Sequence, residues 1–164
     1  MSVPASVFEH PAFDNHEKVL FASDPATGLQ AILAVHSTVR GPAVGGCRMW
    51  AYDTPADAVT DVLRLSQGMS YKNIMADLPI GGGKSVIIKP KGDFDREALF
   101  QAFGRAVDSL NGHYISAEDV GVSPADMLSA RRTTRHVVGL PDGTGDPSPT
   151  TAKWVSGWCR CTSG

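Results

Sequence analysis

Gly68-Met69-Ser70-Tyr71-Lys72, then Asn73 to Ile80, then Gly81-Gly82-Gly83-Lys84-Ser85-Val86-Ile87-Ile88 is the stretch whose reading decides the fold. It joins the end of a helix to a buried strand and sets two lysines twelve residues apart. Three consecutive glycines carry a large backbone-entropy cost, and a chain keeps them where it needs positive φ or where something approaches the backbone closely. The run therefore reads as a tight loop delivering Lys84 to the mouth of a strand, Ser85 to Ile88, stopped by Lys89-Pro90-Lys91-Gly92. Upstream, Thr54-Pro55 opens a helix, with threonine as cap and proline at the first helical position. Ala58, Val62, Leu65 and Met69 recur at helical spacing and predict one apolar stripe, ending near Lys72. Gly68 within that helix costs about 1 kcal/mol against alanine, and the usual reason is close packing against a neighbour or a bound group.

Working outward, Lys18 to Ala22 and Leu29 to His36 read as strands joined by the turn Ser23-Asp24-Pro25-Ala26-Thr27-Gly28, a hairpin. After the break at Gly41-Pro42, Val44 to Trp50 is a third strand, and Gly45 and Gly46 at its start expose backbone. Downstream, Asp93 or Asp95 caps a helix whose stripe is Leu99, Phe103, Ala106 and Leu110, closed by Asn111-Gly112. Tyr114 to Ala117 is a strand, and Glu118-Asp119 sits just past its C-terminal end, where open α/β sheets place functional groups. Ser123-Pro124 starts a short helix with Met127, Leu128 and Ala130 facing inward. Strands alternating with helices predict an α/β fold with a parallel or mixed sheet.

With 164 residues and 42% hydrophobic content the chain can bury a real core within one ordinary domain. Fifteen basic against seventeen acidic residues give a net charge of -2 and no broad electrostatic case for nucleic acid or an anionic membrane. No apolar run approaches the ~20 residues of a membrane span, and the start of the chain has no signal-peptide pattern, so a cytoplasmic location is expected. Cys47, Cys159 and Cys161 are too few for a disulfide framework, which agrees with a reducing compartment. Cys47 reads as a small packed side chain, and Arg131, Arg132 and Arg135 as a solvated helix end. His10, His16, His36, His113 and His136 share no metal-binding spacing, so no metal site is expected.

A lysine after a glycine run suggests a phosphate-binding loop, but that motif needs a glycine where this chain has Leu78. No G-x-G-x-x-G follows a strand either. On a water-poor loop, with Lys72 as a second cation nearby, Lys84 is instead placed to take and return protons near neutrality. Asp119 would be the acidic third member. Two lysines and a carboxylate around exposed glycine backbone form a plausible site for an α-amino acid.

Val44-Gly45-Gly46-Cys47-Arg48-Met49, Gly68-Met69-Ser70-Tyr71-Lys72, Gly81-Gly82-Gly83-Lys84, Ala117-Glu118-Asp119-Val120-Gly121 and Gly145-Asp146-Pro147-Ser148-Pro149 occur in this order. In that order and spacing they resemble the glutamate/leucine/phenylalanine/valine dehydrogenase family, most closely its leucine, valine and phenylalanine branch. The resemblance covers roughly Phe8 to Ala152. It implies the family's N-terminal substrate-binding and dimerisation domain, a three-layer arrangement with a mixed sheet flanked by helices. It also implies homo-oligomers, and NAD-dependent oxidative deamination of an L-amino acid to its 2-oxo acid and ammonia. Carried onto this chain, it puts Lys72 and the backbone at Gly45 and Gly46 on the substrate α-carboxylate. Lys84 becomes the base that activates water, and Asp119 handles protons at the amino nitrogen. Asp146, Ser148 and Thr151 are its implied NAD contacts. Glutamate-specific members carry a lysine directly before the paired glycines, whereas Val44 stands there and favours an apolar side chain. Met69 and Met75 are expected in the core and could also line that apolar pocket.

The resemblance divides the chain into a domain over residues 1–140, a linker over 141–152 toward an NAD-binding domain, and a tail over 153–164 unlike the family. That tail holds two of the three tryptophans and two of the three cysteines. Codons for both begin with TG, so an out-of-frame translation or truncation after about Ala152 is expected, with the C-terminal Rossmann domain absent and hydride transfer lost. The alternative is an inactive remnant that binds an amino acid or oligomerises with a full-length homologue.

Overall fold

The computed structural model describes residues 6–140. Asp146, Ser148 and Thr151, the linker and the tail lie outside the described residues. After a short 3-10 turn, Val7–Glu9, come β1 (Lys18–Asp24), β2 (Leu29–Ser37), β3 (Ala43–Trp50), α1 (Pro55–Met75), β4 (Gly81–Ile88), α2 (Arg96–Asp108), β5 (Tyr114–Glu118) and α3 (Pro124–Arg131). The five strands form one sheet in the order β1-β2-β4-β3-β5. β1 and β2 are the expected antiparallel hairpin, β2 is antiparallel to β4, and β3 runs parallel to both β4 and β5. The α/β mixed sheet flanked by helices is therefore realised.

Local chemistry sets the helix starts. Thr54 and Asp57 exchange side-chain and backbone hydrogen bonds at the head of α1, as do Ser123 and Asp126 at the head of α3, each a capping box followed by proline. Asp95, not Asp93, caps α2 by accepting from Ala98 N–H. Beyond α2, Leu110 still packs into the core, and the chain turns at Asn111 and Gly112 with φ of 50° and 79°.

The two sheet faces are covered differently. Under α2 and α3 lies the larger core, with Leu33, Val35, Phe100, Phe103, Tyr114 and Met127 fully buried. α1 packs over β4 and β2 on the other face, above a smaller cluster of Ile32, Ala34, Ala58, Val62, Leu63 and Val86. β3 is left half-open there: Ala43, Gly45, Cys47 and Met49 are buried, while Val44, Gly46 and Arg48, alternating with them, are only partly covered.

Several expectations are corrected. The glycine run is not a loop but the first three residues of β4. None of the three has positive φ; each is glycine because the chain itself comes too close. A Cβ would stand 2.0 Å from Ser37 O at Gly81, 2.2 Å from Ser70 N at Gly82 and 2.7 Å from the Tyr114 ring at Gly83. α1 continues past Lys72 to Met75, and Met75 is 87% exposed rather than core, because the last turn has run off the sheet. Leu65 and Met69 are only partly buried and belong to neither core cluster. In α3, Met127 and Ala130 face inward as expected, but Leu128, 42% exposed, lies on the outer side of so short a helix.

Candidate active site

Lys84 is the fourth residue of β4 and points to the α1 face, as Gly82 and Val86 do. It is 6% exposed, which is unusual for a lysine and requires a partner. Its Nζ donates to Asp119 Oδ2 at 2.5 Å. Burial alone would push the Asp119 carboxyl up. The hydrogen bond and charge of Lys84, a bond from the Val120 backbone and the charge of Arg48 outweigh it and hold the group below the usual carboxylate range.

Asp119 follows β5 directly, and its loop is pinned on several sides. Met49 N–H donates to Val120 O at 3.0 Å, and Val122 N–H to Asp119 O at 3.0 Å. Arg96 Nη2 donates to Gly121 O at 2.7 Å while its Nε and Nη2 grip Asp126, the cap partner of Ser123. Gly121 has φ of 78°, and a Cβ there would meet Met49 O at 2.2 Å.

The floor is glycine. The β3–β4 ladder pairs Val44 with Gly82 and Cys47 with Ser85 but has no pairs at Gly45 and Gly46, which pair instead with Ser116 and Ala117 of β5. A Cβ at Gly45 would fall 1.7 Å from Gly83 O, and one at Gly46 2.7 Å from Asp119 Cβ. Gly45 does not expose its backbone as expected: it is buried, and its carbonyl accepts a 2.8 Å bond from Tyr114 Oη. Gly46 remains half-open. Cys47 is the packed side chain expected, fully buried, with burial pushing its thiol up to about 12.

α1 supplies the wall. Asp61, Gly68 and Lys72 fall at seven- and eleven-residue offsets on one stripe, with Leu65 and Met69 turned slightly toward the sheet. Asp61 anchors this flank to β3, accepting from Arg48 Nη1 at 3.0 Å and from Tyr52 Oη at 2.6 Å. Gly68 faces open space, with nothing within 4 Å of a Cβ built there, so no neighbour in the chain explains it. Lys72, in the last turn of α1, is exposed and enters no ion pair among the described residues. Val44 and Ile115, opposite one another on β3 and β5, add half-buried apolar surface outside both cores. The fold thus brings Lys84, Asp119, Gly46 and Val44 onto one half-open sheet face, with the stripe of Lys72 and Met69 flanking it. Lys84's close neighbour is the carboxylate, not the expected second lysine.

Arg48, Asp61 and Tyr52 complete the arrangement, and the sequence reading does not single them out. Period-two alternation from Gly46 would have placed Arg48 beside Val44, and counting back along α1 from Lys72 would have found Asp61.

The chain has relatives among known proteins. Residues 16–136 match the family model for the Glu/Leu/Phe/Val dehydrogenase dimerisation domain. The chain is similar to the phenylalanine dehydrogenase of Caldalkalibacillus thermarum, 51% identical over 152 residues, covering 90% of this chain and 41% of that one. It is likewise similar to the leucine dehydrogenase of Geobacillus stearothermophilus, 48% identical, covering 91% and 41%. It therefore spans about two-fifths of the length of these relatives. The crystal structure of L-tryptophan dehydrogenase from Nostoc punctiforme superposes with a TM-score of 0.71 at 43% identity, covering 76% of this chain and 36% of that one.

Proposed function

The chain belongs to the Glu/Leu/Phe/Val dehydrogenase family, and we propose that its groove is the amino-acid site of an NAD-dependent oxidative deaminase for an apolar L-amino acid: leucine, valine or phenylalanine. The observation that carries this reading is the Lys84–Asp119 pair, closed at 2.5 Å against a glycine floor that no side chain can fill.

The substrate α-carboxylate is taken by the ammonium of Lys72, which enters no ion pair among the described residues, together with the half-open backbone at Gly46. Gly68, which leaves open space on the stripe between Asp61 and Lys72, gives the ligand room against α1. Val44 and Met69 face the substrate side chain, where a second carboxylate would be desolvated without a partner. Asp119, kept ionised by its cations, accepts a proton from the substrate ammonium, which frees the nitrogen lone pair to form the imino group as the α-hydrogen leaves. Lys84, in the neutral form a base requires, then removes a proton from the water that adds to the imino carbon, and that proton returned to nitrogen lets ammonia depart.

NAD belongs to this reading as acceptor of the α-hydrogen. The glycine run of β4 offers it no phosphate cradle, since at each of those glycines a Cβ would strike the chain itself. Asp146, Ser148 and Thr151 are its proposed contacts. Residues 1–140 are proposed as the substrate-binding and self-association unit, a reading supported by the dimerisation domain that the matching family model describes. A cytoplasmic setting belongs to the same proposal; no helix among the described residues is long and apolar enough to cross a membrane.

Calorimetric titration of the 164-residue chain with leucine, valine, phenylalanine and glutamate, with and without NAD, tests the proposal. Heat with the apolar amino acids, lost in Lys72→Met, is expected. Preference for glutamate, or no heat from any amino acid under either condition, would overturn it.

A further inference from the structure

Arg48 is a cation at this groove to which the proposed chemistry gives no task. It leaves β3 on the same face as Val44 and Gly46 and is three-quarters covered. Its Nη1 is committed to Asp61, which Tyr52 also holds. Its Nε is buried and makes no hydrogen bond. That N–H lies 3.6 Å from Asp119 Oδ2, the same oxygen that Lys84 bonds at 2.5 Å. Buried donors without partners are rare in folded proteins, and this one stands just beyond bonding range of an acceptor already occupied.

We propose that Arg48 is the standing counter-ion of Asp119, a positioning residue that takes over the carboxylate whenever Lys84 is neutral or drawn to the substrate. The inference rests on the roles given above to Lys84 and Asp119. A lysine that acts as a base spends part of each turnover without charge. During that interval a carboxylate only 27% exposed would lose its main cation, and desolvation would favour its protonation. Arginine cannot be deprotonated under these conditions, so its charge persists when lysine's does not. Asp61 and Tyr52 hold the guanidinium back, which leaves Asp119 to Lys84 in the resting pair and within reach of Arg48 afterwards.

The charged and titratable groups around Asp119 are Lys84 from β4, Arg48 and Cys47 from β3, Asp61 from α1, Tyr52 after β3, and Tyr114 and Glu118 from β5. Only Lys84 and Arg48 are cations. Titrating the Asp119 carboxyl by NMR in the full chain tests the assignment, with Lys84→Met standing in for neutral lysine. In that background Arg48→Gln should raise the midpoint of Asp119 by about one unit or more, a tenfold gain in proton affinity, and Arg48→Lys should recover part of it. Asp61→Asn should lower the midpoint, and do so more with arginine at position 48 than with glutamine, because the released guanidinium can close on Asp119. An Asp119 midpoint unchanged by Arg48→Gln, or an Asp61→Asn shift of the same size with either residue at 48, would overturn the proposal. Should Arg48→Gln not fold, Arg48→Lys against Lys84→Met alone, with and without Asp61→Asn, decides by the same coupling. None of these readouts needs substrate, so failure of amino-acid binding would overturn the reaction proposed above and leave this result standing.

Discussion

The two faces of the sheet do different work. Beneath α2 and α3, Phe100, Phe103, Tyr114, Leu99 and Met127 fill the space completely. Beneath α1 the apolar cluster is small, and buried polar groups surround it: His16, Ser66, Ser70, Asn73 and Lys84. One face is closed by side-chain volume. The other is closed only over β2 and β4, so β3 can present Val44, Gly46 and Arg48 to a ligand. The lesson is that the site is a consequence of where α1 stops covering the sheet, and stability and binding should separate by face.

The sharpest way to break that separation is to truncate matched side chains on each side. Phe103→Ala should cost about 4 kcal/mol in denaturant unfolding through the cavity it leaves. Met69→Ala, half-buried and outside both cores, should cost less than about 1 kcal/mol yet weaken binding of a large apolar amino acid about tenfold by calorimetry. Equal losses of stability would erase the distinction.

Next in size is the buried pair. Asp119→Asn leaves Lys84 buried without its main counter-charge and should cost about 2–3 kcal/mol in the same unfolding measurement. The carboxyl sits below its ordinary 3.8 in the folded chain. Its stabilisation is therefore present above that value and fades as pH falls through the lowered one.

Acid should separate the buried imidazole of the α1 face from the carboxylates. Burial pushes the His16 imidazole below its ordinary 6.5. The unfolded chain therefore takes up the proton first, and stability declines as pH falls from that value toward the folded one. Asp126, on the closed face, is also desolvated, yet Arg96 and Ser123 lower it below 3.8, so its contribution is lost only in stronger acid. Melting temperature against pH should show two separate declines, and His16→Gln should flatten the first alone.

The smallest effect has opposite signs in two measurements. Gly68→Ala should stabilise α1 by roughly 0.5–1 kcal/mol, since nothing opposes the methyl group, and should weaken amino-acid binding. A gain in stability with unchanged affinity would place the ligand elsewhere.

Much of this was legible in residue order. Proline after a capping threonine or serine announced α1 and α3, and helical spacing found Ala58, Val62, Leu99 and Phe103. Lys84, Asp119 and the paired glycines stood out because glycine runs and charges beside apolar strands have few bland explanations. Three consecutive glycines, however, look alike in a loop and in a strand. Pairing with β2 and β3 makes them strand, and the closeness of Ser37, Ser70 and Tyr114 makes them glycine. Arg48 and Asp61 were hidden for a related reason: their meaning lies in a meeting between β3, α1 and the segment after β5, and no local pattern records it.

That meeting also orders events in time. Val44 must find Gly82 on one side and Ile115 on the other, both by parallel pairing across intervening helices. Such distant registrations are slow to form, because chain-closure entropy is lost before the contacts compensate it. The hairpin of β1 and β2 can form early from neighbouring residues, whereas Lys84 and Asp119 come together only when all three parallel strands are in register. A ligand held by both therefore recognises the finished sheet and no partly folded state, and by mass action it would deepen the native state as a whole.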